Sequence, residues 1–140
     1  MKVTGKCHCG NVKITAYINK EKVYACHCTD CQIFSGAPFR VMIGVDKNHV
    51  KILGDSIEYI KTADSGNKRI QSYCANCFTS LFSSSIKKER YSIRTNIFNE
   101  RDKLKPKKHL YGSSSVKWLH EIFNDEWVTT MPKSEPYETR

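Results

Sequence analysis

The seven cysteines of this 140-residue chain lie in three short clusters, and their spacing is the feature that most limits how the chain can fold. An odd number of cysteines leaves one thiol over in any disulfide framework, whereas C-x-C and C-x-x-C motifs are typical of zinc ligands. The sequence therefore favours metal binding. We call the clusters the N-terminal pair (Cys7 and Cys9), the central trio (Cys26, Cys28 and Cys31) and the C-terminal pair (Cys74 and Cys77).

Seven thiols can be divided between two metal sites in more than one way. Structural zinc takes four ligands in a closed tetrahedron, while catalytic zinc has three protein ligands and an open fourth position. One division joins the N-terminal pair to the C-terminal pair and leaves the central trio as a three-ligand site. A competing division builds a zinc ribbon from Cys28, Cys31 and the C-terminal pair. Spacing alone leaves both open.

Histidine and aspartate next to the thiols are weaker candidates for ligands. Successive side chains of an extended segment point to opposite faces, so His27 turns away if Cys26 and Cys28 face one metal. The same argument removes His8, and we expect both histidines to pack or to form hydrogen bonds. Asp30 would have to share a tight turn with two cysteines. The central trio therefore lacks an obvious fourth ligand.

Hydrophobic periodicity predicts a mostly β domain. Apolar residues alternate with polar ones along Asn11–Ile18, which is the pattern of a half-buried strand. Further short segments rich in β-branched or aromatic residues lie at 39–43, 50–53, 56–60, 69–73 and 91–94. Helical periodicity is weak, and the best candidates are a short turn after Cys28 and the stretch near Val116 to Phe123.

Length and composition predict one domain without a membrane segment. A chain of 140 residues fits a single core, and 39% hydrophobic and 26% charged residues are ordinary globular values. We place the domain at residues 1–131 and a polar tail at 132–140. The N-terminus lacks an apolar run like a signal peptide, so we expect a cytoplasmic protein with reduced thiols. The formal charge of +9 makes the chain basic, although metal-bound thiolates would lower it.

The sequence resembles the glutathione-dependent formaldehyde-activating enzyme family, which includes relatives of centromere protein V. The matching segments cover nearly all of the chain in the family's order: GKCHCG at 5–10, ACHCTDCQIFSGAPF at 25–39, SGNKRIQSYCANC at 65–77 and, more weakly, KPKKHLYGSSSVKWL at 105–119. The resemblance implies a single domain of the Mss4-like, or β-tent, type, built from short antiparallel strands with zinc-bound cysteine clusters. It also implies a structural zinc on Cys7, Cys9, Cys74 and Cys77, and a second, labile zinc on Cys26, Cys28 and Cys31.

The activity implied by the resemblance is that of a zinc-dependent carbon–sulfur lyase similar to S-(hydroxymethyl)glutathione synthase. Such an enzyme adds the thiol of glutathione, or of another thiol, to formaldehyde or a related aldehyde, and the central trio would carry the catalysis. Two departures limit the transfer of family features. Phe78 follows the C-terminal pair where the family has glycine, and TNIFNE at 95–100 stands where the family tends to have Gly and Asp.

Two other features bear on function. Ser35, Gly36 and Phe39 follow the central trio and are placed to line a pocket, although a packed loop would explain them equally. The basic run KLKPKKH at 103–109 suits a solvated loop or an anion-binding surface. The alternative to an enzyme is thus a non-catalytic, zinc-stabilised binding module whose basic surface takes nucleic acid or an acidic partner.

Overall fold

The computed structural model describes residues 1–63 and 65–139, which form ten strands and one α-helix. The strands are β1 (Lys2–Lys6), β2 (Lys13–Tyr17), β3 (Tyr24–Cys26), β4 (Arg40–Asp46), β5 (Val50–Leu53), β6 (Ser56–Thr62), β7 (Lys68–Cys74), β8 (Ser80–Ser85), β9 (Arg90–Arg94) and β10 (Lys108–Leu110). Helix α1 is Thr29–Ser35. Short 3-10 helices lie at Lys20–Lys22, Lys47–His49, Thr95–Ile97, Arg101–Lys103, Gly112–Ser114 and Leu119–Asn124.

The strands form two sheets. A three-stranded antiparallel sheet has the order β1-β2-β5, and a seven-stranded sheet has the order β10-β3-β4-β9-β8-β7-β6. Every pair is antiparallel except β10, which lies parallel to β3. A bridge between Gly5 and Phe98 connects the first sheet to the segment after β9. This arrangement brings the β1–β2 turn close to the β7–β8 turn, although the two turns are far apart in the sequence.

One main core and one small satellite core stabilise the fold. The main core contains side chains from both sheets, among them Val3, Ile14, Ile43, Leu81 and Ile93, each at most 1% exposed. Burying a side chain of this size contributes about 1.5–3 kcal/mol relative to leaving it in water. The satellite core consists of Cys26, Cys31 and Met42. The central trio therefore lies in its own packing environment, apart from the main core.

The predicted β-rich class is confirmed. All six predicted strands are present, and the turn after Cys28 is helix α1. The helical candidate near Val116 to Phe123 is instead a 3-10 helix at Leu119–Asn124. Residues of the expected tail form backbone hydrogen bonds with the preceding segment, from Thr129 to Glu135 and from Tyr137 to Trp127. Within the described part of the chain, no helix has both the length and the apolar character needed to span a membrane.

Candidate metal centres and adjoining cavity

The N-terminal and C-terminal pairs meet in one four-cysteine cluster. Cys7 and Cys9 lie in the turn after β1, Cys74 ends β7, and Cys77 lies in the turn before β8. Their four sulfur atoms all lie within 4.8 Å of one another. The Cys7–Cys9 and Cys7–Cys74 sulfur distances are 3.6 Å, and Cys9–Cys74 is 3.8 Å. Four sulfurs at roughly 2.3 Å from zinc would be about 3.8 Å apart in a tetrahedron, so the cluster fits a closed zinc site.

Backbone N–H groups surround the sulfurs of this cluster. The Val12 N–H donates to Cys7 Sγ at 3.2 Å, and the N–H groups of Asn76 and Cys77 donate to Cys74 Sγ at 3.4 and 3.5 Å. A hydrogen bond with the Thr79 hydroxyl is the main cause that lowers the pKa of Cys77 to about 5. Such donors favour thiolates, which are the metal-binding form of cysteine.

The central trio is organised by the start of helix α1. Cys26 ends β3, and Cys28 is the N-cap of α1, where its sulfur accepts the Cys31 N–H at 3.3 Å. The three sulfurs lie within 4.8 Å of one another, which fits three ligands of one metal. Burial raises the pKa of Cys31 to about 12. Burial acts upward on the pKa of Cys28, but hydrogen bonds from Cys31 and Cys26 together outweigh it and leave that pKa below its usual value.

The structure thus groups the sulfurs into a set of four and a set of three, as the first division predicted. Cys28 and Cys31 lie with Cys26 and not with the C-terminal pair, so the described residues do not form the zinc ribbon of the competing division. All seven cysteines are free thiols. The donor sets are those that zinc prefers: four thiolates for a closed site, and three for a site with one open position.

His27 and Asp30 are engaged elsewhere. The His27 side chain is buried, its Nε2 lies 2.8 Å from His109 Nδ1, and its ring packs on Phe39 at 4.9 Å between centroids. Burial, followed by the neighbouring His109, lowers the pKa of His27. Asp30 forms an ion pair with Lys61. Neither residue belongs to a sulfur cluster, which leaves the central trio with three candidate ligands among the described residues.

A cavity of about 850 Å³ is lined by Cys7 of the four-cysteine cluster and by the last residues of helix α1, the helix that begins at the central trio. Ser35 and Phe39 line it, whereas Gly36 ends α1 in the left-handed conformation with φ of 62° and does not line it. The sulfurs of the central trio are not part of its lining. The connection is Arg40, which lines the cavity and whose charge opposes the rise in the pKa of Cys31.

Two residues of the cavity that the sequence did not single out are Arg40 and Arg94. Both are buried, and both donate to the side-chain oxygen of Gln71 at 3.1 Å. Arginine in a strand is read by default as facing solvent. The spacing in the sequence could have indicated that Arg40 is buried, because Arg40 lies two residues before Met42 and therefore shares the buried face of β4 with it.

The comparisons with known proteins identify a family and a fold. The family model for the glutathione-dependent formaldehyde-activating enzyme matches residues 2–114. A protein of Schizosaccharomyces pombe named as an uncharacterised lyase is 31% identical over 78 residues. The aligned segment is 56% of this chain and 54% of the yeast protein, so the match spans about half the length of that relative.

A solved structure shows the same fold. The crystal structure of a Rhodobacter sphaeroides protein, a structural-genomics target, superposes with a TM-score of 0.57 over 78% of this chain and 99% of that chain, at 18% identity. The structural likeness therefore concerns the fold alone. The family match rests on the sequence, and the matched residues include all seven cysteines. The chain belongs to the glutathione-dependent formaldehyde-activating enzyme family.

Proposed function

We propose that this protein is a zinc-dependent carbon–sulfur lyase of the S-(hydroxymethyl)glutathione synthase type. Its substrates are glutathione or a similar small thiol, together with formaldehyde or a related aldehyde. The family and the name of the yeast relative support a lyase-type role at the family level. The seven free thiols are consistent with a reducing compartment, and we place the reaction in the cytoplasm.

The observation that carries this proposal is the central trio. Three sulfurs are gathered within 4.8 Å, and neither His27 nor Asp30 completes the set of ligands. Cys26, Cys28 and Cys31 would hold the second zinc, while the four-cysteine cluster would hold a structural one. A zinc ion bound by three thiolates supplies a place for an exchangeable fourth thiolate and lowers the pKa of a bound thiol.

The residues of the chain itself position the reactants. The hydrogen bond from the Cys31 N–H holds Cys28 in place, and burial of Cys26 and Cys31 keeps water from that side of the trio. Phe34 and Phe39 give the adjoining cavity an apolar wall. In the reaction the substrate sulfur forms a bond to the aldehyde carbon, the carbonyl π bond breaks, and the thiol proton ends on the oxygen. Holding both reactants together provides the rate gain.

Zinc content and thiol response test the proposal together. We expect two zinc ions per chain in the unaltered protein and one in Cys28→Ser, measured by elemental analysis. In the unaltered protein, glutathione should weaken the binding of the zinc ion at the central trio, which is the ion that Cys28→Ser loses. The variant should form S-(hydroxymethyl)glutathione at the rate of the spontaneous reaction only, whereas the unaltered protein exceeds that rate. Thr29→Ala, at the neighbouring exposed position, is the matched control and should behave like the unaltered protein.

A different outcome would support the non-catalytic alternative. One zinc ion in both proteins, indifferent to glutathione, would contradict the enzyme. If the unaltered protein then bound polyanions with a steep dependence on salt, the basic surface would be the functional one.

A further inference from the structure

The cavity contains a buried pair of like charges. Arg40 begins β4 and Arg94 ends β9, and their side chains are 7% and 6% exposed. They converge on one neutral acceptor, because Arg40 Nη1 and Arg94 Nη2 both donate to Gln71 Oε1. The remaining contacts of Arg94 are also neutral: Ser80 Oγ, Met42 Sδ and the Ser92 carbonyl. Neutral contacts orient the two guanidinium groups but leave their charges uncompensated.

Buried arginines are normally paired with anions. In residues 1–63 and 65–139, no carboxylate oxygen lies within 4.0 Å of either guanidinium, and the buried Nε of Arg40 has no hydrogen-bond partner there. Burial lowers the pKa of Arg94, and the charge of Arg40 lowers it further. An isolated buried charge is costly unless it is paired, so the pair favours the arrival of an anion.

The central trio accounts for only part of this charge. Arg40 lies opposite Cys26 in the β3–β4 register, and its charge lowers the pKa of Cys31 against the effect of burial. Three thiolates holding one divalent zinc ion would carry a single net negative charge. That charge would offset one of the two guanidinium groups. The other, on Arg94, remains uncompensated inside the cavity.

The surroundings of the cavity match an anionic ligand. Arg40 and Arg94 line it together with Lys6 and Arg101, and its described lining contains no aspartate or glutamate. Its volume of about 850 Å³ is in the range that holds a small-molecule ligand. Planar guanidinium groups bind carboxylates through paired, charge-assisted hydrogen bonds.

We propose that Arg40 and Arg94 form a subsite that binds a carboxylate of the thiol substrate and thereby holds its sulfur beside the central trio. The inference rests on the proposed function for the identity of the ligand, since the trio supplies the place for the thiol. It makes the preferred substrate an acidic thiol, and it explains why two arginines are buried without a carboxylate from residues 1–63 or 65–139. Arg40 lies opposite Cys26 of the trio and lines the cavity, so it connects the two halves of the site.

Calorimetric binding of two ligands without a thiol tests the subsite alone. S-methylglutathione keeps its carboxylates, and its diethyl ester has none. We expect the zinc-loaded protein to bind the acid about 10- to 100-fold more tightly than the ester, as charge-assisted hydrogen bonds predict. Arg94→Met should bind both ligands equally. Arg90→Met is the matched control, because Arg90 begins the same strand, is exposed and pairs with Asp46. Arg90→Met also removes one positive charge, and it should keep the difference in affinity between the acid and the ester.

Several outcomes would overturn the subsite. Equal affinity for acid and ester in the unaltered protein would do so without any variant. An undiminished difference in Arg94→Met would also do so. If Arg94→Met does not fold, Arg94→Lys replaces it, because lysine keeps the charge but lacks the paired N–H donors of the guanidinium. A reduced preference for the acid over the ester in Arg94→Lys supports the subsite. An unchanged preference opposes it.

Failure of the proposed function would look different. If glutathione leaves the trio's metal unperturbed while S-methylglutathione still binds in an Arg94-dependent way, the carboxylate subsite stands and the lyase proposal falls. If glutathione perturbs the metal while acid and ester bind equally, the lyase proposal stands and the subsite falls.

Discussion

Phe78 occupies a backbone position that suits glycine. Its φ is 61°, and its N–H donates to the Cys74 carbonyl at 3.0 Å, which closes the turn around the C-terminal pair. The family has glycine at this position, and glycine adopts positive φ without steric cost. The side chain is 64% exposed, so little packing offsets the backbone strain. The turn keeps its shape despite the unfavourable residue.

Relief of this strain is measurable. A left-handed conformation costs a non-glycine residue roughly 1–2 kcal/mol, and the extra chain entropy of glycine removes about 0.5–1 kcal/mol of the gain. Phe78→Gly should therefore be more stable than Phe78→Ala by about 1 kcal/mol in urea denaturation of the zinc-loaded proteins. Alanine is the control, because it removes the same ring and keeps the strain. Equal stability of the two variants would show that the turn is not strained.

The cysteine clusters could be located from the sequence, whereas the buried arginines could not. Count and spacing indicated two metal sites but left two divisions of the seven thiols open, and the grouping of Cys26, Cys28 and Cys31 in the structure is the one that the family resemblance implied. The burial of Arg40 and Arg94 depends on β4 and β9 being neighbours, and on Gln71 of β7 reaching both of them. Such long-range pairing has no local signal. The contact between His27 and His109 could not be predicted from the sequence for the same reason.

At the level of elements, strand prediction succeeded where side chains alternate by polarity. β2 has buried Ile14 and Ala16 between more exposed neighbours, so its period is visible. β8 reads SLFSSS and buries Ser83 and Ser84, which composition alone would assign to a loop. β3 and β10 are three residues long, too short to show a period. These strands form because their neighbours supply the hydrogen bonds.

Strand β1 depends on close backbone contact at Gly5. A Cβ built on Gly5 would lie 2.2 Å from the Ile97 carbonyl oxygen, which is a backbone atom and cannot rotate away. Gly5→Ala should destabilise the protein by roughly 1–3 kcal/mol, as overpacking does. Gly112→Ala is the matched control, since nothing lies within 4 Å of its built Cβ, and its effect should stay within about 0.5 kcal/mol. Urea denaturation compares the two variants. Equal small effects would mean that β1 can shift away from Ile97 at little cost.

At the scale of the whole molecule, the two cysteine clusters have different structural positions. The four-cysteine cluster joins the β1–β2 turn of the three-stranded sheet to the β7–β8 turn of the seven-stranded sheet, and Cys7 and Cys74 belong to the main core. The central trio lies within the larger sheet and packs in the satellite core. A metal in the first cluster would hold two sheets together, whereas a metal in the trio would tie one strand to the helix that follows it.

This difference predicts that the two sites contribute unequally to stability. Binding of structural zinc is worth about 10–16 kcal/mol in small zinc domains, and that free energy appears as folding free energy. Cys9→Ser should therefore lower the melting temperature by more than about 10 °C, while Cys28→Ser should lower it by only a few degrees. Circular dichroism follows melting, and elemental analysis confirms that each variant has lost one zinc ion. With the unaltered protein, a chelator should remove one ion while the fold persists and the second only as the protein unfolds. Equal destabilisation by the two variants, or loss of both ions without unfolding, would mean that the four-cysteine cluster does not hold the sheets together.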